Sequence, residues 1–315
     1  MLRQSAYPEV VPEIHSLYLL LTNRCNLTCK HCCVWSSPKG HHGLRREEAQ
    51  EILNDVVRLY GPIRLVLGGG EPLMRPGDAL AILRHSTDLG MQSLLLTNAM
   101  LINDGIGRNL AGIEGLRIRV SVDGTTRERH DFIRGIGSFE RTVSGIKRLV
   151  DFGYDSRKLE VGCTIYPGWE DEMENILRFC DELGITIIKL KALSKLGRAT
   201  EFWTNIPTTK PDEDTQLYRN KLHSGIYERH KGQWKIEELN DISFGELNVY
   251  YDGNVYAYSF MGDEDRRNAY LGNLLDMPLE EVMNRTAISR SLVTKFLKYA
   301  SGPARSLKCL NITRL

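Results

Sequence analysis

Six short apolar runs alternate with segments of helical apolar spacing over residues 17–190, and this alternation constrains the fold more than any other feature. The predicted strands lie at 17–22, 63–67, 93–97, 116–122, 159–165 and 185–190. The predicted helices between them lie at 45–60, 77–89, 102–112, 139–152 and 170–183. Strands that alternate with helices through short connections pair in parallel through right-handed crossovers. The pattern therefore predicts an α/β fold, either a doubly wound sheet or an incomplete barrel.

The rhythm of the pattern changes near residue 197, where we predict a domain boundary. Beyond it, Asp252-Gly253 separates two runs of strand-forming residues, which is a strong signal for a β-hairpin. The predicted hairpin strands and the helices that follow lie at 246–251, 255–260, 278–284 and 288–300. In chain order we expect a short N-terminal arm at 1–16, an α/β domain at 17–198, and a smaller α+β C-terminal extension at 199–315.

Charge and hydropathy disfavour several classes of function. The 41 basic and 40 acidic residues nearly cancel, so no electrostatic footprint favours nucleic acid or an anionic membrane. No apolar run approaches the roughly 18 residues that a membrane span needs. The seven cysteines are an odd number with three of them in one short motif, which disfavours a disulfide framework. We expect a cytoplasmic protein with reduced thiols that binds neither nucleic acid nor membrane.

Three cysteines, Cys25, Cys29 and Cys32, follow directly on the first predicted strand. Three thiolates at this spacing can hold three irons of a [4Fe–4S] cluster and leave the fourth iron open to a ligand that is not protein. The alternative is a structural zinc site, which needs a fourth protein ligand. The candidates for that ligand are Cys33, His31, His41 and His42. Zinc leaves the polar residues at the other strand ends unexplained, so a single iron–sulfur cluster is the favoured interpretation.

Glycine and polar residues follow three other predicted strands. Gly68-Gly69-Gly70-Glu71-Pro72 follows the second strand, Thr97-Asn98 ends the third, and Ser121 and Asp123-Gly124 end the fourth. The glycines let the backbone approach a ligand closely, and the Glu71 carboxylate can accept a hydrogen bond from an ammonium group. Because parallel strands end at the same rim, we expect these groups to surround one small ligand that carries hydroxyls and amines.

Together, the cysteine triplet and the motifs Gly69-Gly70-Glu71, Thr97-Asn98 and Ser121-Val122-Asp123-Gly124 resemble the radical SAM superfamily. The resemblance implies a partial (β/α)6 TIM-like barrel with one [4Fe–4S] cluster held by the three cysteines. It implies that S-adenosylmethionine binds the open iron through its amino and carboxylate groups. It also implies reductive cleavage to a 5′-deoxyadenosyl radical that abstracts carbon-bound hydrogen, with electrons from a flavodoxin- or ferredoxin-type donor.

The same resemblance implies roles for individual residues around S-adenosylmethionine. The Gly69-Gly70-Glu71 segment would bind the methionyl ammonium, and His31 and Thr164 would lie near the adenine. Ser121 and Asp123 would lie near the ribose or the carboxylate, and Arg134 is a candidate contact of the carboxylate. Thr97 and Asn98 are expected to bind the same ligand, with no particular group assigned to them. Each of these residues also has an ordinary structural explanation, as part of a tight turn, a strand-end cap or, for Arg134, an ion pair.

The C-terminal part resembles the extension called SPASM or Twitch through Gly197-Arg198-Ala199, the 246–260 hairpin and Leu271-Gly272-Asn273-Leu274. Extensions of this kind hold auxiliary iron–sulfur clusters through extra cysteines. Here no cysteine lies between 181 and 308, and only Cys309 follows. We therefore predict a degenerate extension and a single cluster. Without an auxiliary cluster to accept an electron, we expect a redox-neutral outcome such as epimerisation, rearrangement or elimination.

The sequence leaves the substrate open. A peptide or a small natural-product intermediate is favoured, and a carbohydrate or aminocyclitol dehydratase or dehydrogenase of the same superfamily is the alternative. The alternative from a different class is a metal- or cluster-binding electron-transfer module without turnover. Cys163 lies on the fifth predicted strand, which we expect to bring it inside the barrel. It is then either a small buried core residue or a hydrogen-atom donor to the substrate radical.

Overall fold

The computed structural model describes residues 14–166, 168–169, 171–193, 196–203, 234–240, 246–256, 270–288 and 308–314. In these ranges the strands are β1 Ser16–Leu20, β2 Arg64–Gly68, β3 Ser93–Thr97, β4 Leu116–Ser121, β5 Leu159–Ile165, β6 Ile187–Ala192, β7 Trp234–Asn240, β8 Glu246–Val249, β9 Asn254–Tyr256, β10 Tyr270–Asn273 and β11 Lys308–Arg314. The helices are α1 Arg46–Tyr60, α2 Pro76–Asp88, α3 Asp104–Ala111, α4 Arg127–Arg134, α5 Ser138–Asp151, α6 Glu172–Glu182, α7 Ala199–Trp203 and α8 Leu279–Ile288. None of these helices combines the length and the apolarity that a membrane crossing requires.

Strands β1 to β6 lie side by side in chain order, and every neighbouring pair among them is parallel. A doubly wound sheet reverses its strand order at a switch point, whereas a barrel winds in one direction. The observed order therefore decides between the two architectures that the sequence pattern left open. The fold is a partial TIM-like barrel, and its six strands begin and end within two residues of the predicted bounds.

Strands from the C-terminal part of the chain join both edges of this sheet. β8 pairs in parallel with β1, and β9 and β10 continue beyond it in antiparallel pairs. At the other edge, β11 pairs antiparallel with both β6 and β7. The hairpin predicted around Asp252-Gly253 is confirmed by β8 and β9, with Gly253 in the left-handed region at φ +80°. The predicted helix at 278–284 is observed as α8, and most of the one predicted at 288–300 lies outside the described residues.

The main hydrophobic core lies between the sheet and its helices, because alternate strand residues are apolar. On β4, Ile118 and Val120 are fully buried in this core, while Arg119 and Ser121 lie on the opposite, inner face. Burying each aliphatic side chain stabilises the fold by about 1.5–3 kcal/mol, so a slip of one residue in register is strongly disfavoured. The same alternation delivers the polar residues of each strand to the barrel interior.

Helix α4 is absent from the pattern of predicted helices. It has only eight residues, most of them charged or polar, so its apolar spacing is too sparse to read from the sequence. Its start is nevertheless marked, because the Thr126 side chain accepts a hydrogen bond from the Arg129 amide and caps the helix. The helix matters for the site because it ends at Arg134, which is one of the predicted site residues.

Candidate active site

The loop between β1 and α1 carries Cys25, Cys29 and Cys32. Two backbone amides of this loop point at thiols. The Leu27 amide nitrogen lies 3.4 Å from Cys25 Sγ, and the Ser36 amide nitrogen lies 3.3 Å from Cys32 Sγ. Hydrogen bonds to sulfur favour its charged form and tune iron–sulfur centres, so the loop is built to receive thiolates rather than thiols.

The burial and charge of these thiols fit an iron–sulfur cluster. Burial raises the pKa of Cys25 to about 12 and the pKa of Cys29 to about 11, so without a cation both stay protonated at neutral pH. Bound iron supplies the positive charge that holds such groups as thiolates. Across the described ranges, no three His, Cys, Asp or Glu side chains are grouped to hold a single metal ion. A cluster requires no such group, because it takes each thiolate on a different iron.

A cavity of about 200 Å³ opens beside the cysteine loop. Most of the predicted site residues line it, namely Cys25, Cys29, Cys32, His31, Gly69, Gly70, Thr97, Asn98, Ser121 and Arg134. Tyr18, Leu20 and Leu96 from the inner face of the barrel add an apolar side to the same cavity. The fold therefore brings together motifs from the cysteine loop and from the ends of three other strands, as the parallel topology predicts.

Glycines at the end of β2 let this segment lie against the cysteine loop. The Gly70 amide donates to the Thr22 carbonyl at 2.7 Å, and the Glu71 amide donates to the Arg24 carbonyl at 2.9 Å. A Cβ added to Gly70 would lie 2.1 Å from the Arg24 carbonyl oxygen. Gly69 has φ +136° and faces the same clash, with a Cβ 2.5 Å from the Thr22 oxygen. The glycines are thus required by the backbone of the protein itself as well as by any ligand.

Glu71 lies behind the wall of the cavity. Its buried carboxylate accepts hydrogen bonds from the Leu73 amide at 3.0 Å, from Thr97 Oγ1 at 2.8 Å and from the Asn98 amide at 2.7 Å. Burial raises the pKa of Glu71 despite these three donors. From the sequence we expect this carboxylate to face an ammonium group, but in the structure donors from the protein occupy it. Glu71 therefore fastens the end of β2 to the end of β3 and holds Thr97 and Asn98 in place.

Asn98 joins β3 to the cysteine loop. Its side-chain nitrogen donates to Asn26 Oδ1 at 2.8 Å and lies 3.9 Å from Cys25 Sγ. Its own side-chain oxygen accepts from the Met100 amide at 3.0 Å. Asn26 is not among the predicted site residues. Its position directly after Cys25, the first cysteine of the triplet, is the sequence signal that could have identified it as a site residue. The hydrogen bond between Asn98 and Asn26 therefore fixes the Cys25 thiol relative to the end of β3.

A buried ion pair between Asp123 and Arg134 supports another part of the cavity. Arg134 Nε donates to Asp123 Oδ2 at 2.6 Å, His31 Nε2 lies 3.4 Å from the same oxygen, and the Thr164 amide donates to Oδ1 at 2.8 Å. Burial opposes the charge on Asp123, but the guanidinium of Arg134 and the hydrogen bond from the Thr164 amide help to outweigh it and hold the pKa of Asp123 below its usual value. Burial also lowers the pKa of His31 to about 4, so its imidazole is neutral at pH 7. Asp123 therefore positions two residues that line the cavity.

Cys163 does not face the barrel interior, and the hydrogen-donor interpretation of this residue is wrong. Its side chain lies with Cys180 in the core between the sheet and the helices, where it is 2% exposed. The reason is the alternation along β5, because Val161, Cys163 and Ile165 share the core face. A thiol on that face is separated from the interior by the sheet itself. The other interpretation, a small buried core residue, is the correct one.

Arg198, the last residue of the predicted α/β domain, contacts the cysteine loop and holds it in place. Its Nη1 donates to the Cys29 carbonyl at 2.6 Å, its Nη2 donates to the Ser36 carbonyl at 2.7 Å, and its amide donates to the Cys32 carbonyl at 2.9 Å. The guanidinium also lies 5.6 Å from the centre of the Trp35 ring. The motif Gly197-Arg198-Ala199 is visible in the sequence, but only the fold shows that it contacts the loop of the three cysteines.

Gly197→Ala should lower the amount of iron that the protein retains. A Cβ at Gly197 would lie 2.4 Å from the Cys32 carbonyl oxygen and 2.5 Å from the Cys33 carbonyl group, so the loop must move. Gly115→Ala is the matched control, because Gly115 has a similar left-handed backbone with φ +69° and no atom within 4 Å of the added Cβ. Both changes carry roughly 1–2 kcal/mol of backbone strain. Iron per chain after anaerobic reconstitution and desalting is the measurement, and equal values in the two variants would contradict the clash.

Comparison with known proteins places this chain in a family. A sequence model of the radical SAM superfamily matches residues 19–180, about half of the chain. An AdoMet-dependent heme synthase of Methanosarcina barkeri is 36% identical over 187 residues, which are 58% of this chain and 51% of that protein. The mycofactocin maturase MftC of Mycobacterium ulcerans is 28% identical over 189 residues, which are 60% of this chain and 50% of that protein. The chain thus spans about half the length of the curated relatives it matches.

Solved structures agree on the fold. The structure of anSMEcpe with bound AdoMet and the Cp18Cys peptide has a TM-score of 0.63 at 18% identity, covering 85% of this chain and 79% of that one. Streptococcus suis SuiB bound to S-adenosylmethionine has a TM-score of 0.61 at 15% identity, covering 85% of this chain and 65% of that one. At these identities the likeness establishes the architecture alone. The family match over half of the chain establishes the lineage, and the chain belongs to the radical SAM superfamily.

Proposed function

We propose that this protein is an enzyme that cleaves S-adenosylmethionine reductively and abstracts a carbon-bound hydrogen from a peptide or a small natural-product intermediate. The observation that carries the proposal is the single cavity shared by three thiols, the Gly69-Gly70 turn and the polar ends of β3 and β4. A structural zinc site needs no such rim, and an electron-transfer module needs no organic ligand beside its cluster. The combination of a cluster loop and a polar cavity favours an enzyme.

The residues around this cavity would have different roles. Cys25, Cys29 and Cys32 would hold a [4Fe–4S] cluster, and the Gly69-Gly70 backbone and Ser121 would contact S-adenosylmethionine. When bound, a cluster of this kind supplies the electron that breaks a carbon–sulfur bond of S-adenosylmethionine and yields a hydrogen-abstracting radical. Arg134, fixed by Asp123, presents a cation to the carboxylate of that ligand.

His31 supplies a neutral ring at the same cavity, suited to contact with adenine. Its position is set by Asp123 and by an edge-on contact with Tyr166, whose ring centre lies 6.1 Å away. The Nδ1 atom of His31 is buried and has no hydrogen-bond partner among the residues that the structure describes. A ligand with a polar ring edge would satisfy that atom, and adenine has one.

The substrate proposal rests on the relatives and on the cysteine inventory. One curated relative is named a mycofactocin maturase, and a structural neighbour is SuiB bound to its precursor peptide SuiA. Outside the cluster triplet, Cys163 and Cys180 are buried in the core and Cys33 lies on the cluster loop. Only Cys309 lies beyond residue 180, so this chain offers few ligands for a second cluster. A redox-neutral outcome such as epimerisation, rearrangement or elimination is therefore favoured.

The decisive experiment is anaerobic reconstitution with iron and sulfide, followed by reduction with dithionite in the presence of S-adenosylmethionine. We expect about four irons per chain and formation of 5′-deoxyadenosine, because one [4Fe–4S] cluster holds four irons. Cys180→Ala is a suitable control, since that thiol lies in the core on α6 and should leave both quantities unchanged. Reconstituted protein that forms no 5′-deoxyadenosine would rule out the enzyme, and about eight irons per chain would rule out the single cluster.

A further inference from the structure

The barrel interior has one apolar wall and one cationic wall. On β1 to β3, most of the residues that alternate with the core positions are apolar or aromatic, namely Tyr18, Leu20, Val66, Leu94 and Leu96; the exceptions are Ser16, Gly68 and the exposed Arg64 at the start of β2. Three of the apolar or aromatic residues line the cavity beside the cysteine loop. Strands β4 to β6 close the other side of the barrel, and their inner positions differ in character. The interior is therefore suited to a molecule with an apolar part and a charged part.

On β4, Arg117 and Arg119 occupy the inner positions next to Ser121, which lines the cavity. On β6, Ile188 and Leu190 pack in the core, so the alternation places Lys189 and Lys191 on the inner face. These two strands bring four cations to one wall. All four side chains are partly exposed, which shows that they reach open space rather than the apolar core.

The strand register brings Lys189 to the level of Ser121, which lines the cavity, and places Arg119 two residues before that level on β4. Gly162 of β5 pairs with Ser121 of β4 on one side and with Lys189 of β6 on the other. The charges of Lys191 and Arg119 also act on the hydroxyl of Tyr18, which belongs to the opposite wall and lines the cavity. Burial dominates there and raises the pKa of Tyr18.

One buried carboxylate, Glu160, fixes part of this wall. Its Oε2 accepts from Arg119 Nε at 2.8 Å and Nη2 at 2.6 Å, and its Oε1 pairs with Arg117. Gly162 leaves room for the Arg119 side chain, because a Cβ there would lie 3.1 Å from Arg119 Cδ. On the inner face of β4, β5 and β6, all of them described strands, Glu160 is the only acidic residue against four basic ones. Basic residues therefore outnumber acidic ones at the inner positions of these three strands, and Glu246 of β8 is a further acidic residue that acts on Tyr18.

We propose that the cationic wall formed by Arg119, Lys189 and Lys191 binds a carboxylate of the substrate, while the apolar part of the substrate lies against β1 to β3. This inference rests on the proposed function, since it assigns a chemical class to the substrate of the same barrel. Arginine and lysine side chains form strong charge-assisted hydrogen bonds with carboxylates in a partly desolvated site. Phosphate sites usually add backbone amides of a helix N-terminus or a glycine-rich turn, whereas the amides of these strands are used in the sheet.

The test uses phenylbutyrate and its uncharged amide, phenylbutyramide, as a matched pair of probes. Binding to the reconstituted protein is measured by ligand-observed NMR for wild type, Arg119→Gln/Lys191→Gln and Lys191→Gln. Lys147→Gln is the control, because Lys147 is an exposed cation on the outer helix α5. Arg119 also neutralises the buried Glu160, so Lys191→Gln serves as the variant that leaves that pair intact. Circular dichroism checks that each variant is folded.

We expect wild type and Lys147→Gln to bind the carboxylate about tenfold more tightly than the amide, a difference of about 1.4 kcal/mol. The preference should shrink in Lys191→Gln and vanish in the double variant. Equal binding of the two probes to wild type would overturn the inference, as would an unchanged preference in both variants. Inorganic phosphate that displaces phenylbutyrate at equal concentration would overturn the assignment to carboxylates.

The readout of the inference is separate from that of the proposed function. Wild-type protein that forms 5′-deoxyadenosine but does not prefer the carboxylate refutes this inference and leaves the proposed function standing. Protein that prefers the carboxylate through Arg119 and Lys191 but forms no 5′-deoxyadenosine supports the carboxylate-binding site and refutes the proposed function.

Discussion

Cys29→Ala should leave the barrel folded but reduce the iron of the reconstituted protein from about four atoms per chain to well below one. Cys29 is buried beside Cys25 and Leu27, and its carbonyl is held by Arg198, so its thiol has a fixed place in the loop. Loss of one thiolate leaves two ligands, which do not retain a cluster through desalting. Formation of 5′-deoxyadenosine should fall to the level of a sample without protein.

Cys33→Ala provides the matched control for this experiment. Cys33 lies next to Cys32 on the same loop, but it is exposed and is not one of the three spaced cysteines. Its replacement should leave the iron content and the visible absorption of the cluster unchanged. Iron loss in Cys33→Ala equal to that in Cys29→Ala would favour four protein ligands, as in a closed zinc-type site, over an open iron. Full iron retention in Cys29→Ala would remove the cysteine triplet from the site.

Asp123→Ala should lower the free energy of unfolding by about 3–5 kcal/mol, because it leaves the buried Arg134 guanidinium without its counterion. Arg134 is 9% exposed and Asp123 is 1% exposed, so water cannot replace the lost partner. The same change frees His31 and the Thr164 amide, so binding of S-adenosylmethionine should weaken as well. Urea unfolding followed by circular dichroism gives the stability, and equilibrium dialysis with labelled S-adenosylmethionine gives the affinity.

An exposed ion pair of the same residue types is the control for Asp123. Asp155 pairs with Arg157 at 2.7 Å, but both side chains are largely open to solvent, so Asp155→Ala should have a far smaller effect. Equal losses of stability for Asp123→Ala and Asp155→Ala would show that the buried pair is not a support of the fold.

The pH dependence of stability gives a second test of the Asp123 pair. The folded state holds the pKa of Asp123 below its ordinary value of about 3.9, so the pair stabilises the protein above that pH and loses its effect as the pH falls through the folded pKa. The stability gap between wild type and Asp123→Asn should therefore be constant near neutral pH and shrink below about pH 4. A gap that does not change down to acid unfolding would show that the charge of Asp123 is unimportant.

Local patterns made a large part of the fold predictable. Six apolar strands alternate with segments of helical apolar spacing, and only a few chain topologies accommodate that alternation. In each of them the C-terminal ends of the parallel strands lie along one edge of the sheet. The cysteine spacing and the Gly69-Gly70 turn could be placed at that rim because each lies directly after a strand. Thr97, Asn98, Ser121 and Arg134 reach the same cavity for the same reason or through the helix that follows.

Other features depend on contacts between distant segments, which local patterns do not encode. The carboxylates of Glu71 and Asp123 were predicted as ligand contacts, but long-range hydrogen bonds turn them toward Asn98, Thr164 and Arg134. Arg198 lies far along the chain from the cysteines and reaches them only because β6 ends beside their loop. Cys163 was placed on the wrong face because a short apolar strand with buried residues on both sides gives no clear sign of which side faces the helices.

The sequence by itself determined the lineage, the parallel pairing of alternating strands and helices, and most of the residues gathered at the strand ends, since these follow from residue type and spacing along the chain. The tertiary structure alone decided the order of the strands in the sheet and the faces of the sheet that Cys163 and Arg119 occupy. It also decided which carboxylates, those of Glu71 and Asp123, hold other site residues in position. The physical reason is that the pairing of strands and the burial of charges are settled by packing between segments. Their energies depend on neighbours that no local stretch of sequence contains.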